Sequence, residues 1–193
     1  MPTPAEHRKR FIKAFESLAH HRERHDVLAD FLDMGVCAIR KTTLPPGPAA
    51  DAIEDQYMAV VKRNAVEDVR KMPELLTITA LAVQEGGCDF LGQVVADLEL
   101  INGHMGQFFT PYDVSRMIAE MTLRDAGDLI REKGFVTVAE PASGAGGMII
   151  AAADVIEKQG FDIGRQLYVG FLCSKVRKAT WPDPEKRRNP PFT

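Results

Sequence analysis

Three things are scarce in this chain: positive charge in excess, paired cysteines and long apolar runs. Lys and Arg together number 24 against 27 Asp and Glu, for a net charge of −3. The whole is therefore no polycation, and any hold on nucleic acid has to come from a local patch. Cys37, Cys88 and Cys173 stand far apart, odd in number and outside metal-ligand spacing. That pattern predicts reduced thiols in a cytoplasmic protein rather than a disulfide framework. No apolar run reaches membrane-spanning length, and "MPTPAEHRKRF" lacks the apolar stretch of a signal peptide, so no membrane association is expected. There is no internal repeat and only one Trp. What remains is a globular composition, 45% hydrophobic and 26% charged over 193 residues. That is enough for one ordinary domain or two small ones, with a real core.

The first hundred residues read as helices. Phe11, Phe15 and Leu18, then Leu28, Phe31 and Leu32, recur at helical spacing with charges between them. "KTTLPPGPAAD" (41–51) breaks the pattern, which resumes with Ile53, Tyr57, Val60 and Val61. Pro73 suits a first helical turn ahead of "ELLTITALAVQ" (74–84), and Gly86 and Gly87 suit its end. Asp89 can cap the next helix, whose apolar face carries Phe90, Leu91, Val94, Val95 and Leu98. An α-helical domain is expected over 1–104. Within it, "HRERH" (21–25) sets His21 and His25 one turn apart, as metal ligands can be. In the zinc-protease pattern, however, Glu directly follows the first His, and here Arg22 does, so a solvated basic face is expected. Arg8, Lys9, Arg10 and Lys13 form a second basic cluster, suited to phosphates or simply to water.

The second half changes character. In "GQFFTP" (106–111), Thr110 reads as an N-cap, Pro111 as the first helical residue and Asp113 as the third. Val114, Met117, Ile118 and Met121 follow at the spacing of a core face. A helix start has spare N–H groups and a positive dipole end, a seat for a carboxylate. A staple of Phe109 on Val114 is the plainer reading of the aromatics. After Gly134, "FVTVA" (135–139) predicts a short buried strand, "EPASGAGG" (140–147) a glycine-rich turn, and "MIIAAADVIEK" (148–158) a helix closed by Gly160. Strand, acid, glycine turn and helix make the first unit of a nucleotide-binding α/β sheet. The dinucleotide fingerprint fails because Ile149 holds its third glycine position, and no Gly-Lys-Ser/Thr follows for a P-loop. A purely structural tight turn is the bland alternative.

"GQFFTP" together with "EPASGAGGM" resembles the N6-adenine DNA methyltransferases of type I restriction–modification systems, over about Leu91 to Gly160. The resemblance implies an α/β fold, with a helical N-terminal domain followed by a partial Rossmann-like domain at 105–193 that binds S-adenosylmethionine. It places Gln107, Phe108 and Thr110 beside the methionine end of that cofactor. It also places Glu140, Pro141, Ala142, Ser143, Gly144, Gly146 and Gly147 in the cofactor loop. Expected partners are double-stranded DNA, a specificity subunit and a second modification subunit. The chemistry implied is methyl transfer to the N6 amino group of an adenine flipped from the duplex, without a metal.

In such enzymes an Asn/Asp-Pro-Pro-aromatic motif grips the adenine, and here Asn189, Pro190, Pro191 and Phe192 match it. In the family this motif ends the fourth strand. The stretch 148–188 is too short for the intervening strands, because each βαβ unit takes roughly thirty residues. "QLYVGFL" (166–172), read as the second strand, is followed by Cys173 and Ser174 where an acid would hold the cofactor ribose. From about Val169 the chain departs from the family pattern. A chain shortened after about Tyr168 is the first expectation, a compressed "NPPF" site the second and a basic interaction tail the third. The function expected is adenine-N6 DNA methylation or a remnant of it; the alternative is an inactive module that binds DNA or the specificity subunit.

Overall fold

Thr3 and Glu6 open the first helix by capping each other. The Glu6 N–H donates to the Thr3 hydroxyl, and the Glu6 carboxylate accepts from the Thr3 N–H at 2.6 Å. The computed structural model describes residues 2–18, 22–85, 89–100, 110–141 and 143–171. The chain divides into two compact units, Met1–Phe108 and Phe109–Thr193.

The first unit is helical: α1 (Pro4–Glu16), α2 (Arg24–Thr43), α3 (Pro48–Arg63), α4 (Val66–Gln84) and α5 (Phe90–Asp97). Phe11, fully buried, organises its core. Its ring stands edge-on to Phe31 at 5.4 Å and to Phe90 at 5.8 Å, and stacks on Phe15 at 6.3 Å, joining α1, α2 and α5. Leu75, Ile78 and Ala82 bring α4 into the same cluster. Asp89 caps α5 as its sequence predicts, its carboxylate accepting the Gly92 N–H at 2.9 Å. Burial pushes that carboxyl above the ordinary aspartate value, against the pull of the Gly92 hydrogen bond.

Two boundaries differ from the sequence reading. The proline-rich break is confined to residues 44–47, because Pro48 occupies the first turn of α3, where a missing N–H costs nothing. Pro73 does not begin a helix: α4 starts at Val66 and runs through it. The apolar face of α4, Met72, Leu75, Ile78 and Ala82, is continuous across the proline, so packing outweighs the lost backbone hydrogen bond. Gly86, Gly87 and Cys88 lie outside the described residues, as does His21 of the "HRERH" stretch.

Arg22 is not simply solvated. It donates to Asp30 at 2.7 Å, and Arg63 Nε and Asn64 Nδ2 reach the same carboxylate, each at 2.8 Å. Asp30 is buried, and burial alone would raise its pKa; the hydrogen bonds from Arg22, Arg63 and Asn64 outweigh that and hold it below 3.8. Its stabilisation is thus complete above the ordinary carboxylate value and is lost as pH falls through the lower folded value. Asp30→Ala is expected to destabilise the helical unit by about 2–3 kcal/mol at pH 7, since both guanidinium groups can turn partly to water. Thermal unfolding followed at pH 7 and below pH 3 should show that difference shrink with acid.

The second unit contains α6 (Tyr112–Thr122), α7 (Ala126–Lys133), β1 (Val136–Glu140), α8 (Gly147–Lys158), α9 (Ile163–Gln166) and β2 (Leu167–Phe171). Gly134, at φ 84°, ends α7 in the left-handed conformation that glycine adopts freely. The strands pair in parallel, Val136 opposite Leu167 through Glu140 opposite Phe171. The architecture is mostly helical with a small parallel sheet, compatible with an α/β class. The sequence suggested a short buried strand; within β1 Val136 is the buried residue. Burial alternates along the strand, with Val138 and Glu140 half-buried and Thr137 and Ala139 exposed.

Helix α6 corrects the sequence in two respects. Its cap is Pro111, not Thr110: the Pro111 carbonyl accepts from Val114 and Ser115, both at 3.0 Å, and no side chain caps the helix. The face turned inward is Ser115 and Ala119, with Tyr112 and Leu123 beside them, rather than the predicted Val114, Met117, Ile118 and Met121. Val114, Met117 and Met121 are 40%, 54% and 72% exposed. The partner surface explains the choice. Helix α8 offers Ala151 and Val155, and small residues on both sides let the two helices approach closely.

Candidate functional site

Chain direction places the site. The Tyr112 hydroxyl, at the start of α6, donates to Asp154 in the middle of α8 at 3.2 Å. At the other end, Gln159 Nε2 just past α8 donates to the Leu123 carbonyl just past α6 at 2.9 Å. The two helices therefore run the same way. Because α8 reverses the direction of β1, the start of α8 lies at the end of the unit where β1 finishes, and α6 runs beside α8 in the same direction. In open α/β sheets the end where the strands finish is the one at which ligands bind.

The turn between β1 and α8 is built for close approach. Glu140 closes β1, Pro141 begins the turn, and the Gly146 N–H donates to the Ser143 carbonyl at 2.6 Å. Gly144 has φ 51° and Gly146 φ 90°, both in the left-handed region. Among the described residues, a Cβ added at Gly146 would meet nothing within 4 Å. Conformation demands glycine there, and no described residue fills the space above it. Gly147 then starts α8 with no side-chain cap, so its first N–H groups face the turn without a partner inside the helix. Such an end favours an anion or a polar ligand group.

Of the residues singled out in the sequence, Glu140, Pro141, Ser143, Gly144, Gly146 and Gly147 fall in this turn, and Thr110 stands exposed just before α6. Gln107, Phe108 and Ala142 lie outside the described residues, as do Asn189, Pro190, Pro191 and Phe192. Tyr112 and Asp154 were missed by the sequence reading. Their hydrogen bond fixes how α6 stands against α8, and nothing in residue type or spacing announces a contact across that length of chain. At the opposite end of α8, Arg124, Arg131 and Lys158 line a groove of about 540 Å³ together with Glu120 and Asp128. Arg131 pairs there with Asp128 at 2.5 Å and lies over the Phe161 ring, a structural arrangement of charges. No group of three or more metal-ligating side chains occurs among the described residues, and no helix there is long and apolar enough to cross a membrane.

Residues 96–179 match the family of N-6 DNA methylases. The matched stretch runs from the last turn of α5 through α6, the glycine turn and β2, somewhat under half of the chain. No curated protein and no solved structure gives a significant match. The family match supports a place among the N6 DNA methyltransferases.

Proposed function

We propose that the chain is an adenine-N6 DNA methyltransferase of the type I restriction–modification kind, with its S-adenosylmethionine site in the turn between β1 and α8. The observation that carries this reading is the left-handed glycine turn between β1 and the uncapped start of α8, inside the stretch that matches N-6 DNA methylases. The residues present fit the cofactor: space over Gly146 that no described residue fills, two left-handed glycines and an uncapped helix start leave room for a large polar ligand. Glu140, Pro141, Ser143, Gly144, Gly146 and Gly147 would hold it, with Ala142, Gln107 and Phe108 completing the set and Thr110 at its edge. When bound, the cofactor supplies an electrophilic methyl group. The rest falls to the chain: orienting the adenine amine and excluding water. In the compressed-site reading, Asn189 and the Pro190 carbonyl would accept hydrogen bonds from that amine, and Phe192 would stack on the flipped base. A specificity subunit and a second modification subunit are the proposed protein partners, in the cytoplasm.

Cys173, where an acid would grip the ribose, points to modest affinity. One missing charge-assisted hydrogen bond weakens binding by about tenfold to a hundredfold. Calorimetric titration of the chain is expected to show saturable binding of S-adenosylmethionine and none of NAD. With residues 148–188 too short for the intervening strands, the wild-type chain is expected to transfer no tritiated methyl group to adenine-containing DNA. Transfer that vanishes in Asn189→Ala, with cofactor binding intact, would instead establish the compressed site. A preference for NAD would end the methyltransferase reading.

A further inference from the structure

Helix α1 buries one face and presents a basic one opposite. His7, Phe11 and Phe15 enter the core. At about 100° per residue, Lys9, Lys13 and Arg10 centre on the far side, within little more than one turn, and all three are exposed. Their neighbour Arg8 is drawn aside to Asp97, 2.7 Å away. Two acids share the basic face: Glu16 is paired with a cation, while Glu6, held by neutral donors, keeps its negative charge there. The Glu6 carboxylate accepts from the Thr3 N–H at 2.6 Å and from its hydroxyl at 3.1 Å, and Glu16 lies 3.5 Å from Arg24. Lys71 adds another cation at the end of the helix, where its ammonium donates to the Ser17 carbonyl at 2.7 Å. Among the described residues no ion pair holds Lys9, Arg10 or Lys13; Lys9 only feels the field of Glu6.

We propose that this face of α1 is a contact surface for the phosphate backbone of duplex DNA. The inference rests on the methyltransferase reading and adds to it a place where the substrate is held through its backbone rather than its bases. Charge and composition select the partner. No large hydrophobic side chain of α1 is exposed, so the face lacks the apolar centre around which a protein interface is built. Phosphate contacts need none: long flexible cations in water release condensed counterions from the duplex, and affinity follows. In a chain of net charge −3, this patch supplies the attraction that the whole does not.

The test is a salt titration of the full chain against a fluorescent duplex of arbitrary sequence, read by anisotropy. Each phosphate contact contributes about 0.9 to the slope of log affinity against log salt. The triple variant Lys9→Gln, Arg10→Gln, Lys13→Gln is expected to lower that slope by about 2.7 and to weaken binding on the order of a hundredfold near 0.1 M salt. A charge-matched triple elsewhere on the surface, Arg40→Gln, Lys62→Gln, Arg124→Gln, should leave the slope unchanged. The proposal is overturned by a wild-type chain that does not bind duplex, by an unchanged slope in the first triple, or by an equal drop in the second. It is also overturned if polyglutamate displaces the duplex as readily as competitor DNA does, which would make the face a dock for an acidic protein. Calorimetry with S-adenosylmethionine separates the two levels. Cofactor binding without the slope change removes this inference alone, and the slope change without cofactor binding removes the methyltransferase reading and leaves the DNA contact standing.

Discussion

Gly146→Val is expected to remove detectable binding of S-adenosylmethionine. Two effects act together. Gly146 sits at φ 90°, where a β-branched residue is strained by about 1–3 kcal/mol, so the turn will shift to relieve it. The new methyl groups also enter the space above the turn, in which a Cβ meets no described residue within 4 Å. A loss on the order of a hundredfold or more, about 2.8 kcal/mol, is the expected result. Gly160→Val supplies the control. Gly160 has φ 88° and equally open surroundings, but it follows the far end of α8. It should destabilise the unit comparably while leaving the affinity of the folded chain intact. If both variants bind the cofactor as the wild type does, the turn is a structural device and the site lies elsewhere.

Phe11→Ala is expected to cost about 3–5 kcal/mol, the largest stability loss of any single truncation proposed for the helical unit. The ring is fully buried and touches aromatic partners on α1, α2 and α5, so its removal leaves a cavity that no single helix can close. Chemical denaturation followed by far-ultraviolet circular dichroism should show the midpoint of the helical transition move sharply down. Phe11→Leu should recover roughly half of the loss, because it restores much of the volume without the edge-on ring contacts. A loss below about 1 kcal/mol for Phe11→Ala would mean that this cluster is not the core of the unit.

Local chemistry made part of this molecule legible in advance. Asp89 announces α5 because a capping side chain acts within three residues, and Gly134, Gly144 and Gly146 announce left-handed turns for reasons held in one residue each. The glycine turn after β1 was legible for the same reason. The misreadings arose where a distant partner decides. Met117 and Met121 have the spacing of a core face, yet Ala151 and Val155 on α8 favour the smaller face of Ser115 and Ala119. Pro73 looks like a helix start until the apolar stripe from Met72 to Ala82 holds the helix through it. Arg22 looks solvated until Asp30 and Asn64 close around it, a polar arrangement that periodicity does not encode.

The parallel register between β1 and β2 bears on how a chain of this kind can change length. Val136 must reach Leu167, and Glu140 must reach Phe171, across one fixed connection. A single codon inserted within α8 would turn everything after it by about 100°. Ala151, Ala152, Val155 and Ile156 would then part company, some still facing β1 and α6 and others facing water. The same codon inserted at residues 160–162, between α8 and α9, meets non-helical backbone and can be looped out. Length variation in this half of the molecule is thus channelled to the end of α8 away from the glycine turn, and the geometry at the turn stays fixed while the opposite rim is free to drift.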